Sequence, residues 1–123
     1  MTLNEYQQQA MTTCLPEANN FTYMMLNLTG EVGEFAGKVA KAIRKGQIKM
    51  RTDADFHYHI SMNRADMEHH KKELQKEAGD ILWQLSGLCT VLGWNLEDIA
   101  QQNLDKLADR KSRQVIDGSG DNR

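Results

Sequence analysis

Proline occurs once in these 123 residues, at Pro16, and cysteine twice, at Cys14 and Cys89. Two cysteines so far apart supply neither a disulfide framework nor the closely spaced thiolates of a zinc knuckle. No apolar run approaches the ~20 residues of a membrane span. The N-terminal MTLNEYQQQA lacks the basic-then-apolar pattern of a secretory signal, so a soluble cytoplasmic chain without a membrane partner is expected. The net charge of −2 leaves no cationic footprint for nucleic acid. Runs of β-branched residues are also scarce. With so few helix breakers and strand formers, an all-α chain forming one domain over 1–123 is expected.

Periodicity predicts four main helices. The first covers about 4–14, closed by Leu15-Pro16. The second, about 18–45, carries Phe21, Met24, Met25, Leu28, Val32, Phe35, Val39 and Ile43 at helical spacing and stops at Gly46. The interval 47–68 has no sustained period and reads as a loop with room for a short irregular hairpin. A third helix, about 67–92, has Leu74, Ile81, Leu85, Leu88 and Leu92 as its stripe and stops at Gly93. Asn95 is placed to cap a fourth, which runs to about Ser112 with Glu97 and Asp98 in its first turn. The segment 113–123 has too few apolar anchors for helix and reads as a flexible tail.

GEVGEFAGK, residues 30–38, puts glycines at 30, 33 and 37 inside the second helix. Each costs ~1 kcal/mol relative to alanine, so a backbone approaching closely from behind the apolar face is expected there. Its acids are more informative. Measured from Leu28, Glu31 and Glu34 lie roughly 60° and 120° to one side, with Asn20, Asn27 and Lys38 in the same sector. On the third helix, Glu77 and Asp80 lie at the same roughly 60° and 120° offsets from Leu74, with Glu73 and Gln84 beside them. Either pair alone is an ordinary solvated face. Packed against each other, the two would gather four carboxylates that cannot all stay ionised without compensation. A hard divalent cation such as Mg²⁺, which takes oxygen ligands, supplies it. The absence of His and Cys from the cluster argues against zinc. A di-iron bundle would need Glu-x-x-His, and neither motif has it.

On the fourth helix Asn103 interrupts the apolar stripe, where a buried amide would need partners. Lys106 and Arg110 follow on the same side and suit phosphate, although a helix C-terminus also favours cations. Trp83, on the back of the third helix, points to a second buried face. His69 and His70 read as surface histidines.

Tyr6-Gln7, LTGEVGEFAGKVAKAIRKG, KELQKEAGDILWQL and NLDKLADRKSRQVIDGSGDNR together resemble the MazG-like nucleoside triphosphate pyrophosphohydrolases of the all-α NTP pyrophosphatase superfamily. The resemblance covers most of the chain outside 47–68. That interval is longer than in compact members and carries Asp53, Asp55, His57, Tyr58 and His59, to which no role is assigned. The resemblance implies a four-helix bundle completed by oligomerisation, as homodimer or homotetramer. It also implies hydrolysis of a nucleoside triphosphate to monophosphate and pyrophosphate, clearing unwanted nucleotides. Glu31, Glu34, Glu77 and Asp80 would hold Mg²⁺, with Mn²⁺ as a substitute. Lys38, Asn103, Lys106 and Arg110 would contact substrate. Glu34, and after it Glu77, is the choice for general base. The rival reading is a non-catalytic helical oligomerisation module whose acids decorate its surface.

Overall fold

A computed structural model of the chain describes residues 1–50, 58–60 and 63–123. The elements in order are α1 (Leu3–Met11), a single 3₁₀ turn (Pro16–Ala18), α2 (Phe21–Arg44), β1 (Ile48–Met50), β2 (Tyr58–Ile60), α3 (Arg64–Val91) and α4 (Leu96–Ser112). The all-α class is as expected. The interval 47–68 is not wholly loop: β1 and β2 pair antiparallel, Ile48 opposite Ile60. The third helix starts at Arg64, ahead of the predicted Met67, because Asn63 caps it, accepting from the Asp66 backbone N–H. Asp53, Asp55 and His57 lie outside the described residues.

Local chemistry sets the ends. Thr2 and Glu5 form a reciprocal capping box on α1, which satisfies two orphan donors at once. α1 is shorter than predicted because the chain turns at Thr12. Asn20 belongs to the α2 boundary and not to the polar sector where its spacing placed it. Its side-chain oxygen accepts from the Tyr23 N–H at 2.9 Å, so α2 begins at Phe21. Gly46 and Gly93 adopt φ of 70° and 71°, the left-handed geometry that closes α2 and α3.

α2 and α3 pack as an antiparallel pair, α1 lies on α3, and α4 packs on α1. Met24 is fully buried at the α2–α3 contact, where Gly87 makes room for it. A Cβ on Gly87 would stand 2.6 Å from the Met24 Cε. Trp83 meets α1 as the second buried face required, its indole N–H donating to the Ala10 carbonyl at 3.1 Å and to Thr13 Oγ1 at 3.0 Å.

Asn95 stands at the predicted cap of α4, but its side chain does not cap the helix. Two α1 residues satisfy those donors instead. Gln7, buried, accepts from the Leu96 N–H at 2.8 Å and donates to Thr90 Oγ1 and the Trp94 carbonyl. Asn4 accepts from the Glu97 N–H at 3.2 Å. The start of α4 is therefore tied to α1 by tertiary hydrogen bonds.

The apolar stripe of α2 does not sit squarely on α3. At about 100° per residue, Phe21, Met25, Val32 and Ile43 fall within about 40° of one another, and all four are exposed. The buried Met24 and Ala42 lie about 60° to one side of Phe21. The helix is rolled toward its polar sector, so Glu31 and Lys38 are half-buried while the apolar flank is bare. Among the described residues the expected close approach behind the glycines is absent: nothing beyond the chain neighbours and the helix's own backbone lies within 4 Å of a Cβ built at Gly33, Gly37 or Gly79.

Candidate metal centre

The roll of α2 brings the acids inward. One carboxylate oxygen from each of Glu31, Glu34 and Glu77 lies within 4.8 Å of the others. Glu31 is half-buried, Glu34 exposed and Glu77 buried. Burial, and then the charges of Glu34, Asp80 and Glu77, push the Glu31 carboxyl above its ordinary range, and a 3.2 Å hydrogen bond from the Asn27 amide only partly offsets them. Asp80 stands beside this trio, exposed on α3, close enough for its charge to act on Glu31 and on the Tyr6 phenol. The four acids therefore share one neighbourhood, three of them in tight reach. Tyr6 joins them from α1, and its pKa is raised first by burial and then by Asp80.

Lys38 is the internal countercharge. Its ammonium lies 2.6 Å from Glu77 Oε1 and 3.2 Å from Glu73 Oε2. The Glu77 hydrogen bond is the main reason its pKa is raised. Glu73, held by Lys76 and then by Lys38, falls to about 2. The sequence placed Glu73 beside the cluster without signalling that it shares Lys38.

Glu77 Oε2 is buried and has no hydrogen-bond partner among the described residues, and the same is true of Gln84 Oε1. A buried carboxylate oxygen left unpaired carries its full desolvation cost. A divalent cation between Glu31, Glu34 and Glu77 would remove that cost and the mutual repulsion together. An all-oxygen donor set suits a hard cation, so the residues present fit such an ion.

The basic end of α4 is differently engaged. Arg110 is buried, and its guanidinium donates to Asp121 Oδ1 at 3.0 Å and to the Asp121 carbonyl at 3.1 Å. Lys106 lies 3.6 Å from the same carboxylate. Arg123 folds back onto the carbonyls of Val115 and Gly120, helped by the positive φ of 79° at Gly120. The tail read as loose is thus hydrogen-bonded to α4. Asn103 is exposed, not the buried amide its place in the stripe suggested, because α4 packs mainly on α1 among the described elements and leaves that face open.

The Asp121 pKa is depressed by Arg110 first and Lys106 next. A carboxylate with a depressed native pKa contributes stability above its unfolded value and loses it as pH falls through the native one. Following the Asp121 carboxyl carbon by NMR, we expect its titration midpoint below the ordinary ~3.9, with tail amides shifting in step. A midpoint at or above that value would mean the tail is not held by this pair.

The profile of the MazG nucleotide pyrophosphohydrolase domain matches residues 19–115, and the chain belongs to that family. The "Gene 37 protein" of Mycobacterium phage L5 is 37% identical over 102 residues, covering 83% of this chain and 75% of the phage protein. No solved structure matches. Among the described residues no helix is long and apolar enough to cross a membrane.

Proposed function

We propose that the chain hydrolyses nucleoside triphosphates to the monophosphate and pyrophosphate, with Mg²⁺ held by Glu31, Glu34, Glu77 and Asp80. The observation that supports this most is the three-carboxylate cluster with its orphaned, buried Glu77 oxygen, in a chain of this family. When bound, such an ion lowers the pKa of water and neutralises charge developing on phosphate oxygens. Mn²⁺, also an oxygen-ligand metal, would substitute.

The chain's own groups divide the remaining work. Glu34 has neither hydrogen bond nor ion pair among the described residues, so a carboxylate oxygen not engaged with the ion would be available to take the proton from the attacking water. Glu77, whose Oε1 is pinned by Lys38, is the less available base. As the water oxygen bonds to the α-phosphorus, the bond to the α,β-bridging oxygen breaks. That electron pair leaves with pyrophosphate. Asn103, Lys106 and Arg110 remain proposed substrate contacts, the last two after release from Asp121.

A panel of canonical and modified NTPs and dNTPs, scored for pyrophosphate against phosphate release with Mg²⁺, tests the reading and ranks the bases. Pyrophosphate release from at least one is expected; none, or orthophosphate alone, would refute it.

The same reading includes a homo-oligomer, dimer or tetramer, formed over the bare flank of α2. Phe21 and Val32 are 53% and 49% exposed and lie in line with Met25 and Ile43. Leu104 and Leu107 of α4 add to the uncovered apolar surface. Light scattering should give a multiple of the monomer mass, and Phe21→Glu combined with Ile43→Glu should reduce it to the monomer. A monomeric wild-type chain would contradict this. If oligomers form without any Mg²⁺-dependent stabilisation or hydrolysis, the non-catalytic module is the better description.

A further inference from the structure

The polar sector of α2 changes sign along its length. Asn27, Glu31, Glu34, Lys38, Lys41 and Lys45 all fall within a sector of about 80°. The acids come first and the lysines follow. Between Phe35 and Met50 the sequence has Lys38, Lys41, Arg44, Lys45 and Lys49 and no acid. A helix C-terminus favours cations only within its last turn, which does not account for Lys38 or for the shared direction.

Lys38, Lys41 and Lys45 line a groove of about 340 Å³ between the end of α2 and the start of α3, floored by Ala42 and faced by Asp66, His69, His70 and Glu73. Both acids there are already engaged. Asp66 accepts from the Asn63 amide at 2.7 Å, and Glu73 is shared by Lys76 and Lys38. Lys41 and Lys45 have no ion-pair or hydrogen-bond partner among the described residues, and the buried His70 Nε2 has no hydrogen-bond partner. Asp66 keeps its charge, since its partner is a neutral amide, but Lys41 and Lys45 outnumber it, so the net charge of the described groove is positive. Lys38 joins the groove to the acid cluster, since the ammonium lining one rests on Glu77 of the other. At a rise of 1.5 Å per residue, Lys38 and Lys41 stand about 6 and 10 Å along the helix from Glu34.

We propose that this groove seats the β,γ-pyrophosphate portion of the triphosphate, with Lys41 and Lys45 as its cationic wall. This rests on the hydrolase reading above, with the α-phosphate at the carboxylate cluster and the leaving group directed toward the C-terminal end of α2. Lys106 and Arg110 of α4 already hold Asp121, whereas Lys41 and Lys45 are uncommitted. The leaving pyrophosphate departs with the bridging oxygen and is held as a product by ammonium groups, which need no proton transfer to bind it.

The test uses the full chain, with inorganic pyrophosphate and Mg²⁺ in a calorimetric titration. Lys41→Gln combined with Lys45→Gln should weaken pyrophosphate binding about tenfold or more, as expected from losing charge-assisted hydrogen bonds. The NTP KM should rise by a similar factor, with kcat changed much less. Lys41→Arg with Lys45→Arg should retain binding. Both lysines are exposed, and unchanged helical circular dichroism checks the fold. Pyrophosphate binding equal to wild type in the glutamine variant would overturn the groove, whatever the activity. Lysine-dependent pyrophosphate binding in a chain that cleaves no NTP would support the groove and remove the hydrolase reading.

Discussion

Glu34→Gln is expected to lower Mg²⁺-dependent NTP cleavage by about 10³-fold or more, a barrier increase of ~4 kcal/mol, while circular dichroism and melting temperature should stay at wild-type values. The substitution keeps shape and removes one negative charge. Glu34 is exposed and has no partner within the described chain, so nothing in the fold depends on that charge. Its neighbours suffer from it, because it helps push Glu31 upward. Removing it should leave the metal-free chain equally stable or slightly more so. A mutation that costs activity and spares stability is the signature of a group placed for chemistry. Asp80→Asn, likewise exposed beside the trio, should behave the same way. Steady-state pyrophosphate release and thermal melts on the same preparations make the comparison. Full activity in either variant would remove the metal-centre argument.

Met24→Ala has the opposite profile. Met24 is completely buried and is the largest fully enclosed side chain among the described residues. Truncating a buried Met typically costs ~2–5 kcal/mol, out of a total stability of ~5–15 kcal/mol. At the usual few degrees per kcal/mol, the melting temperature should fall by about 8 °C or more. Protein concentration must be held fixed, since subunit association shifts apparent stability. Gly87 sharpens the test, because its missing Cβ is occupied by Met24. Gly87→Ala should destabilise the wild-type chain by ~1–3 kcal/mol through overpacking. In the Met24→Ala background the same change should be neutral or stabilising, because the added methyl enters the vacated space. Additive effects in this double-mutant cycle would mean that the two positions do not share one volume.

The helices and the acids were legible because each is written locally. Repeated apolar spacing places an element, and Glu31, Glu34, Glu77 and Asp80 show by equal offsets that they can meet. What sequence spacing does not carry is how far a helix is rolled about its own axis. The stripe from Phe21 to Ile43 reads as core, yet α2 meets α3 through Met24, Glu31, Lys38 and Ala42. The apolar flank waits for another surface. Asn95 illustrates a second limit: its residue type and place are those of a cap, but Asn4 and Gln7, some ninety residues earlier, satisfy those donors. Gly87 is indistinguishable in sequence from Gly33 or Gly79, and only the position of Met24 singles it out. The Asp121 contact to Arg110 was equally hidden, because tail residues without apolar anchors reveal nothing of what their carboxylates reach.

Isotope labelling tests most directly whether water attacks the α-phosphorus at the carboxylate cluster. A triphosphate that the chain turns over is hydrolysed with Mg²⁺ in ¹⁸O-enriched water, and both products are analysed by mass. One ¹⁸O in the nucleoside monophosphate and none in pyrophosphate is expected, with turnover lost on chelation of the metal and in Glu34→Gln. Label in pyrophosphate or in orthophosphate, or turnover indifferent to the metal, would contradict it.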